Sequence, residues 1–275
     1  MSGHLALAVS TVLYGLGIVA QTVAARRAED RPGAGVGLLA RLAADRLYLL
    51  GFTGQAGGFA FAFLAREELP LYLVQAGSSS AVGLATVIGV LLLGWRIRRV
   101  EVAVLVVMAC GLLLLTGAAA PSAARELPLV PALVVLGVVT LAVLPLARAF
   151  RSATPLLAGL AFAVVAVAAR NVAGKPVAEL LAHPLTWVMV LAAFAGQACL
   201  ATALQRGSAT SAVASMDATT VVVSSAAGLL LMGDGIAPGR EWWVGLGVLL
   251  VVSGVLVLGS VAAPARELVG AGGER

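Results

Sequence analysis

Polar residues in this chain come in short bursts, and the apolar runs between them are close to 20 residues long. A helix needs about that length to cross the ~30 Å hydrocarbon core of a bilayer, at roughly 1.5 Å per residue. Nine such runs stand at about 4–25, 45–65, 69–94, 102–118, 127–147, 155–172, 184–204, 208–232 and 241–263. The bursts carry turn and charge signals: AEDRPGAGVG after the first run, Arg66-Glu67-Glu68 after the second, Trp95 to Glu101 after the third. Pro128, Pro131 and Pro145 fall near the ends of the fifth run, where a missing backbone donor is least harmful. The pattern predicts an all-α polytopic membrane protein with nine transmembrane helices. A Gly-rich tail over 264–275 is expected to be disordered.

The runs also echo one another. VAARR at Val23–Arg27 closes the first and VAARN at Val167–Asn171 closes the sixth, at an offset of 144. Gly54-Gln55-Ala56 returns as Gly196-Gln197-Ala198 at offset 142, and LLLG at Leu91–Gly94 as LLMG at Leu230–Gly233 at offset 139. Runs one to four therefore pair with six to nine. This gives a first repeat over 1–119, a linker helix within 120–152 and a second repeat over 153–263. Units five spans apart cross the membrane in opposite senses, so the repeats are inverted, 4+1+4. Many secondary transporters are built this way, with their sites near the midplane between the repeats.

Composition changes the picture little. Mean hydropathy is +1.04, with 61% hydrophobic and 11% charged residues, which excludes a soluble domain. The charges give an orientation. Connections after odd-numbered runs and the C-terminus hold Arg26, Arg27, Arg31, Arg41, Arg46, Arg96, Arg98, Arg99, Arg148, Arg151, Arg206, Arg266 and Arg275, or 13 of the 18 basic residues. The positive-inside bias makes that side cytoplasmic, with the N-terminus outside and the C-terminus inside. No Lys or Arg precedes the first run, so it reads as an uncleaved span. The Arg bias and the Ala, Val, Leu and Gly richness point to a GC-rich bacterial genome, and so to a bacterial cell (inner) membrane. Charges in so apolar a chain face anionic lipid; nucleic acid is not expected as a partner. Cys110 and Cys199 lie inside apolar runs, as small packing residues.

Candidate chemistry centres on Asp217. It stands about nine residues into the eighth run, ~13 Å deep, where a carboxylate must face a partner or a water-filled cavity. Helical spacing brings Thr210, Thr220 and Ser224 onto its face, and at the repeat offset Asp217 falls opposite Gln75. From Gln75 the same spacing brings Ser78, Ser79 and Thr86 into line. Gln55, Gln75 and Gln197 would line a half-polar chamber with Asp217, Thr220, Ser224 and Ser79. Small hydroxyls also serve close helix packing, which is their other reading here. Arg26, Arg148 and Arg170 read as interfacial anchors, and His4 and His183 as interfacial. The chain has no HExxH and no GxSxG, no acid cluster for two-metal chemistry and no cofactor motif, so an enzyme is not expected.

The Gln205-Arg206-Gly207 turn, the duplicated four-span unit and the Gly-rich last span together resemble the drug/metabolite transporter superfamily. The nine-span count and the stretch from Gly54 onward look most like its NIPA-like magnesium-transporter branch, with the EamA-like branch as neighbour. The resemblance implies the inverted-repeat fold and the transporter class. The magnesium branch carries Gly-Glu in span two, where this chain has Gly54-Gln55, an amide in place of the acid. Magnesium wants oxygen ligands, usually including carboxylate. The leading expectation is therefore a transporter of a small solute, with Asp217 coupling a proton or binding a cation. A magnesium or divalent-cation transporter is the alternative, and a non-transporting membrane scaffold stands behind both.

Overall fold

A computed structural model describes residues 2–29, 45–93, 99–120, 126–206 and 209–261. The turn expected at 207–208, the basic connections over 30–44 and 94–98, and the tail at 264–275 lie outside the described residues, as does the Thr210 side chain. Eleven α-helices follow in order: α1 (Gly3–Glu29), α2 (Arg46–Ala65), α3 (Leu71–Ser79), α4 (Ala81–Leu93), α5 (Arg99–Ala118), α6 (Leu129–Ala149), α7 (Thr154–Val172), α8 (Val177–Ala182), α9 (Pro184–Arg206), α10 (Ala209–Leu230) and α11 (Glu241–Val261). Their starts follow the sequence. Asp45 caps α2, its carboxylate accepting from the Leu47 and Tyr48 amides at 2.7 and 3.2 Å. Pro70, Pro128 and Pro176 precede α3, α6 and α8, and Pro155 sits in the first turn of α7. There the missing donor breaks no helical hydrogen bond.

Among the described residues seven helical stretches are long and apolar enough to cross a membrane: Gly3–Gln21, Arg46–Ala65, Leu71–Leu93, Arg99–Ala118, Leu129–Ala149, Arg151–Val172 and Ala212–Leu230. Two more apolar helices, Pro184–Leu200 and Glu241–Val257, are shorter over the described residues. The third stretch is a single crossing interrupted at Ser80, between α3 and α4. The Ser80 hydroxyl donates back to the Gly77 carbonyl at 2.6 Å, a local bond that competes with the helical ladder.

The helices form a bundle with α7 at its centre. From Ala163 to Val172 every α7 residue is buried. Large apolar side chains such as Leu91, Leu113, Leu141, Phe194 and Leu249 cover the outer surface, as lipid requires. Helix α1 lies along α2, α7 along both α9 and α10, and α5 along α11. Glycine makes two of these contacts possible. At Gly17 and Gly51 the α1 and α2 backbones approach so closely that a Cβ on either would meet the other's carbonyl at 2.7–2.8 Å. Gly111 of α5 and Gly247 of α11 repeat the arrangement at 2.9 Å. Lipid supplies no hydrophobic drive for helix association, so backbone proximity and van der Waals contact have to provide it.

The α5–α11 contact gives a paired test. Gly247 faces Leu115 Cγ at 2.7 Å, whereas a Cβ at Gly245, two residues away, meets nothing within 4 Å. Gly247→Leu should lower the melting temperature of the purified protein, by the equivalent of about 1–3 kcal/mol of overpacking. Gly245→Leu should leave it within error. Equal melting temperatures for the two variants would mean that α5 and α11 do not pack as described.

Candidate functional site

Helix α3 begins at a proline and has no side-chain cap of its own, so its first amide needs an outside partner. That partner is Asp234, far along the chain in the connection between α10 and α11, whose Oδ2 accepts from the Leu71 amide at 2.5 Å. The Tyr72 hydroxyl donates to the neighbouring Gly235 carbonyl at 3.1 Å. Gly228 leaves the room for this: a Cβ there would collide with the Asp234 carboxylate and approach Leu71 Cβ at 2.9 Å. The other carboxylate oxygen of Asp234 pairs with Arg170 Nη2 at 3.1 Å, and both side chains are fully buried. Arg170 Nη1 donates in turn to the backbone carbonyl of Arg66. The α2–α3 turn, the end of α7 and the α10–α11 connection are thus tied at one buried knot. Arg170, expected to anchor at the interface, is instead only 2% exposed, because its guanidinium neutralises a carboxylate inside the protein.

Below the knot lies a second polar cluster. The Arg66 side chain turns inward and is buried, with its guanidinium 5.7 Å from the Phe59 ring centroid. Its Nη2 donates to Gln75 Oε1 at 3.0 Å, while Nε and Nη1 are buried with no hydrogen-bond partner. One turn further along α3, about 6 Å of helical rise, Ser79 stands beside the carboxyl of Asp217 on α10. Asp217 as a residue is only part-buried, but its Oδ2 is fully buried and unpartnered. Tyr14 of α1 lies within electrostatic reach of both Arg66 and Asp217. Ser78 of α3 and Ser225 of α10 also carry buried hydroxyls without partners. In a low-dielectric interior each unmet polar atom is costly, so the Arg66 and Asp217 side chains, both with unmet atoms, mark the candidate site.

The structure brings together Asp217, Ser79 and Gln75 of the residues expected at the site, and joins to them Arg66 and Tyr14, which sequence reasoning missed. Thr220 and Ser224 face the packing side. The Thr220 hydroxyl donates to the Gly159 and Met216 carbonyls at 3.1 and 2.9 Å, and Ser224 donates to Thr220 at 2.5 Å. Gln55 donates to Gln21 at 3.1 Å across the tight α1–α2 contact. Gln197 is exposed on α9. Among the described residues no group of three or more His, Cys, Asp or Glu stands together as metal ligands.

Two openings accompany the cluster. A cavity of about 160 Å³ is lined by Arg66, Glu67, Glu126, Arg170, Asn171 and the Ala173–Gly174 backbone turn. At its rim Lys175 donates to Glu126 at 2.8 Å and holds that carboxyl below the ordinary carboxylate range. A larger cleft of about 330 Å³ between α6, α7 and α10 is wholly apolar and shares no residue with the polar cluster. No protein-family model, no characterised protein and no solved structure matches the chain.

The knot makes a quantitative prediction. Arg170→Met strands a buried carboxylate and should destabilise the protein by about 3–5 kcal/mol. Combining it with Asp234→Asn removes the lone charge yet keeps an acceptor for the Leu71 amide, and should recover much of the loss. Melting curves of the two single variants and the double variant in detergent test this; strictly additive losses would show that the pair is not coupled.

Proposed function

We propose that this chain is an inner-membrane secondary transporter of a small solute, working by alternating access between two inverted four-helix repeats. It has nine crossings, with the N-terminus outside and the C-terminus cytoplasmic. The observation that carries the reading is the buried polar cluster of Arg66, Gln75, Ser79, Asp217 and Tyr14. It lies where α3 of one half meets α10 of the other. Asp217 serves as the coupling residue for a proton or cation.

The packing pattern supports the repeat. Span one lies on span two as span six lies on span seven, and span one touches span three as six touches eight. Span three meets span eight, and span four meets span nine. Exchanging the two halves maps each of these contacts onto another of them or onto itself, as pseudo-twofold repeats require. A resemblance to the drug/metabolite transporters, and to their NIPA-like branch, agrees with this architecture. A divalent-cation cargo is the weaker reading, because among the described residues no three His, Cys, Asp or Glu stand together as ligands, and the buried Arg66 guanidinium repels a cation.

Access can be tested without knowing the cargo. Ser79→Cys, in a Cys110→Ala/Cys199→Ala background, should react with a membrane-impermeant thiol reagent in right-side-out and in inside-out vesicles alike. Asp217→Asn should shift the ratio of the two rates at least severalfold by biasing one facing state. Failure to label from either side would leave a scaffold protein as the better account.

A further inference from the structure

Arg66 poses a problem of charge. It is 4% exposed, and among the described residues no carboxylate pairs with it. Its neighbours are a neutral amide, an aromatic face and a phenol: Gln75, Phe59 and Tyr14. Gln75 and the Phe59 ring solvate the guanidinium only in part, and Nε and Nη1 are left without an acceptor. A guanidinium presents its donors in a rigid planar fork that matches a carboxylate two to two. Gln75 takes one of the two Nη2 protons; the other, with a proton of Nε or of Nη1, still makes one parallel donor pair for a second planar acceptor. The backbone of the same residue is clamped by Arg170, which fixes where the fork stands. A cavity of about 160 Å³ lies against Arg66 and Arg170, with Glu67 and Glu126 also in its lining.

We infer that Arg66 is the anion-binding residue of this chamber and that the solute carried is a small organic carboxylate, seated on the donor pair of its guanidinium that Gln75 leaves free. The inference rests on the transport reading above and adds the substrate class to it. Bound there, the carboxylate neutralises the buried cation, which is worth most where water is excluded. Gln75 holds the other proton of Nη2 and keeps the plane of the fork from rotating. The Asp217 carboxyl, one turn of α3 away, bounds the far end of the chamber. Solutes with a second negative group close to the first are therefore disfavoured.

The full-length protein in detergent is tested with lactate, alanine, benzoate and succinate, each beside its neutral amide, and with magnesium chloride. Ligands that bind the folded state raise its melting temperature. At least one of the monocarboxylates should do so saturably while its amide and magnesium do not. Arg66→Gln should weaken that binding roughly ten- to hundredfold, the loss expected for a charge-assisted pair. Arg66→Lys keeps the charge without the fork and should fall between; it also stands in if the Gln variant does not fold. Carboxylates no better than their amides, or carboxylate binding unchanged in both Arg66 variants, would overturn the assignment. The thiol at position 79 separates the two levels. If it labels from both sides while no carboxylate binds, the substrate class fails and transport stands; if it labels from neither, both fall.

Discussion

Arg170 and Asp234 are charges that no water reaches, and neither is tolerable without the other. Helices in lipid gain nothing from burying leucine against leucine, since the acyl chains they leave are equally apolar. What discriminates one arrangement from another is therefore backbone proximity at small residues and the satisfaction of polar groups. The Arg170–Asp234 pair belongs to the second kind. It draws the end of α7, the α10–α11 connection and the α2–α3 turn to one point, and α3 starts on its carboxylate. Break the pair, and α3 loses both its N-terminal acceptor and the reason for its register.

That register decides what α3 shows to α10. With Leu71 fixed by Asp234, Gln75 and Ser79 fall on successive turns, Gln75 against Arg66 and Ser79 beside Asp217. At the turn residue that follows, Ser80, the hydroxyl donates to the Gly77 carbonyl while the amide keeps its bond to Ala76 and the carbonyl its bond from Leu84, so the backbone stays satisfied between α3 and α4.

Much of the architecture was legible in the sequence, and the limits of legibility have a physical cause. Run length fixes where helices form, so helix bounds were readable to within a few residues, and seven of the described helical stretches are long and apolar enough to cross a membrane. Depth singled out Asp217, because a carboxylate in hydrocarbon must face a partner or water. The face of each helix was not readable. Leucine, valine and alanine surround these helices on all sides, in contact with protein or with lipid, so periodicity carries no direction. Gln55 and Gln197 stand in the same Gly-Gln-Ala triplet, yet one sits against Gln21 and the other is exposed. Arg66 and Asp234 went unremarked as site residues, and Arg170 reads as an interfacial anchor, for a different reason. Each stands at the end of an apolar run, where a charge ordinarily reaches water, and only the folded chain turns all three inward.

Two arginines, equally buried and joined through one hydrogen bond, show how structure and function divide the same residue type. Arg170 meets a carboxylate of its own chain and donates to a carbonyl, which makes it a structural member. Arg66 meets an amide and a ring, which hold it in place without neutralising it. A chain needing only stability would gain by replacing an unneutralised buried cation with an apolar side chain of similar volume. A cation kept there, with its position fixed through its own backbone and donors left without an acceptor, is the group that the proposed carboxylate would neutralise.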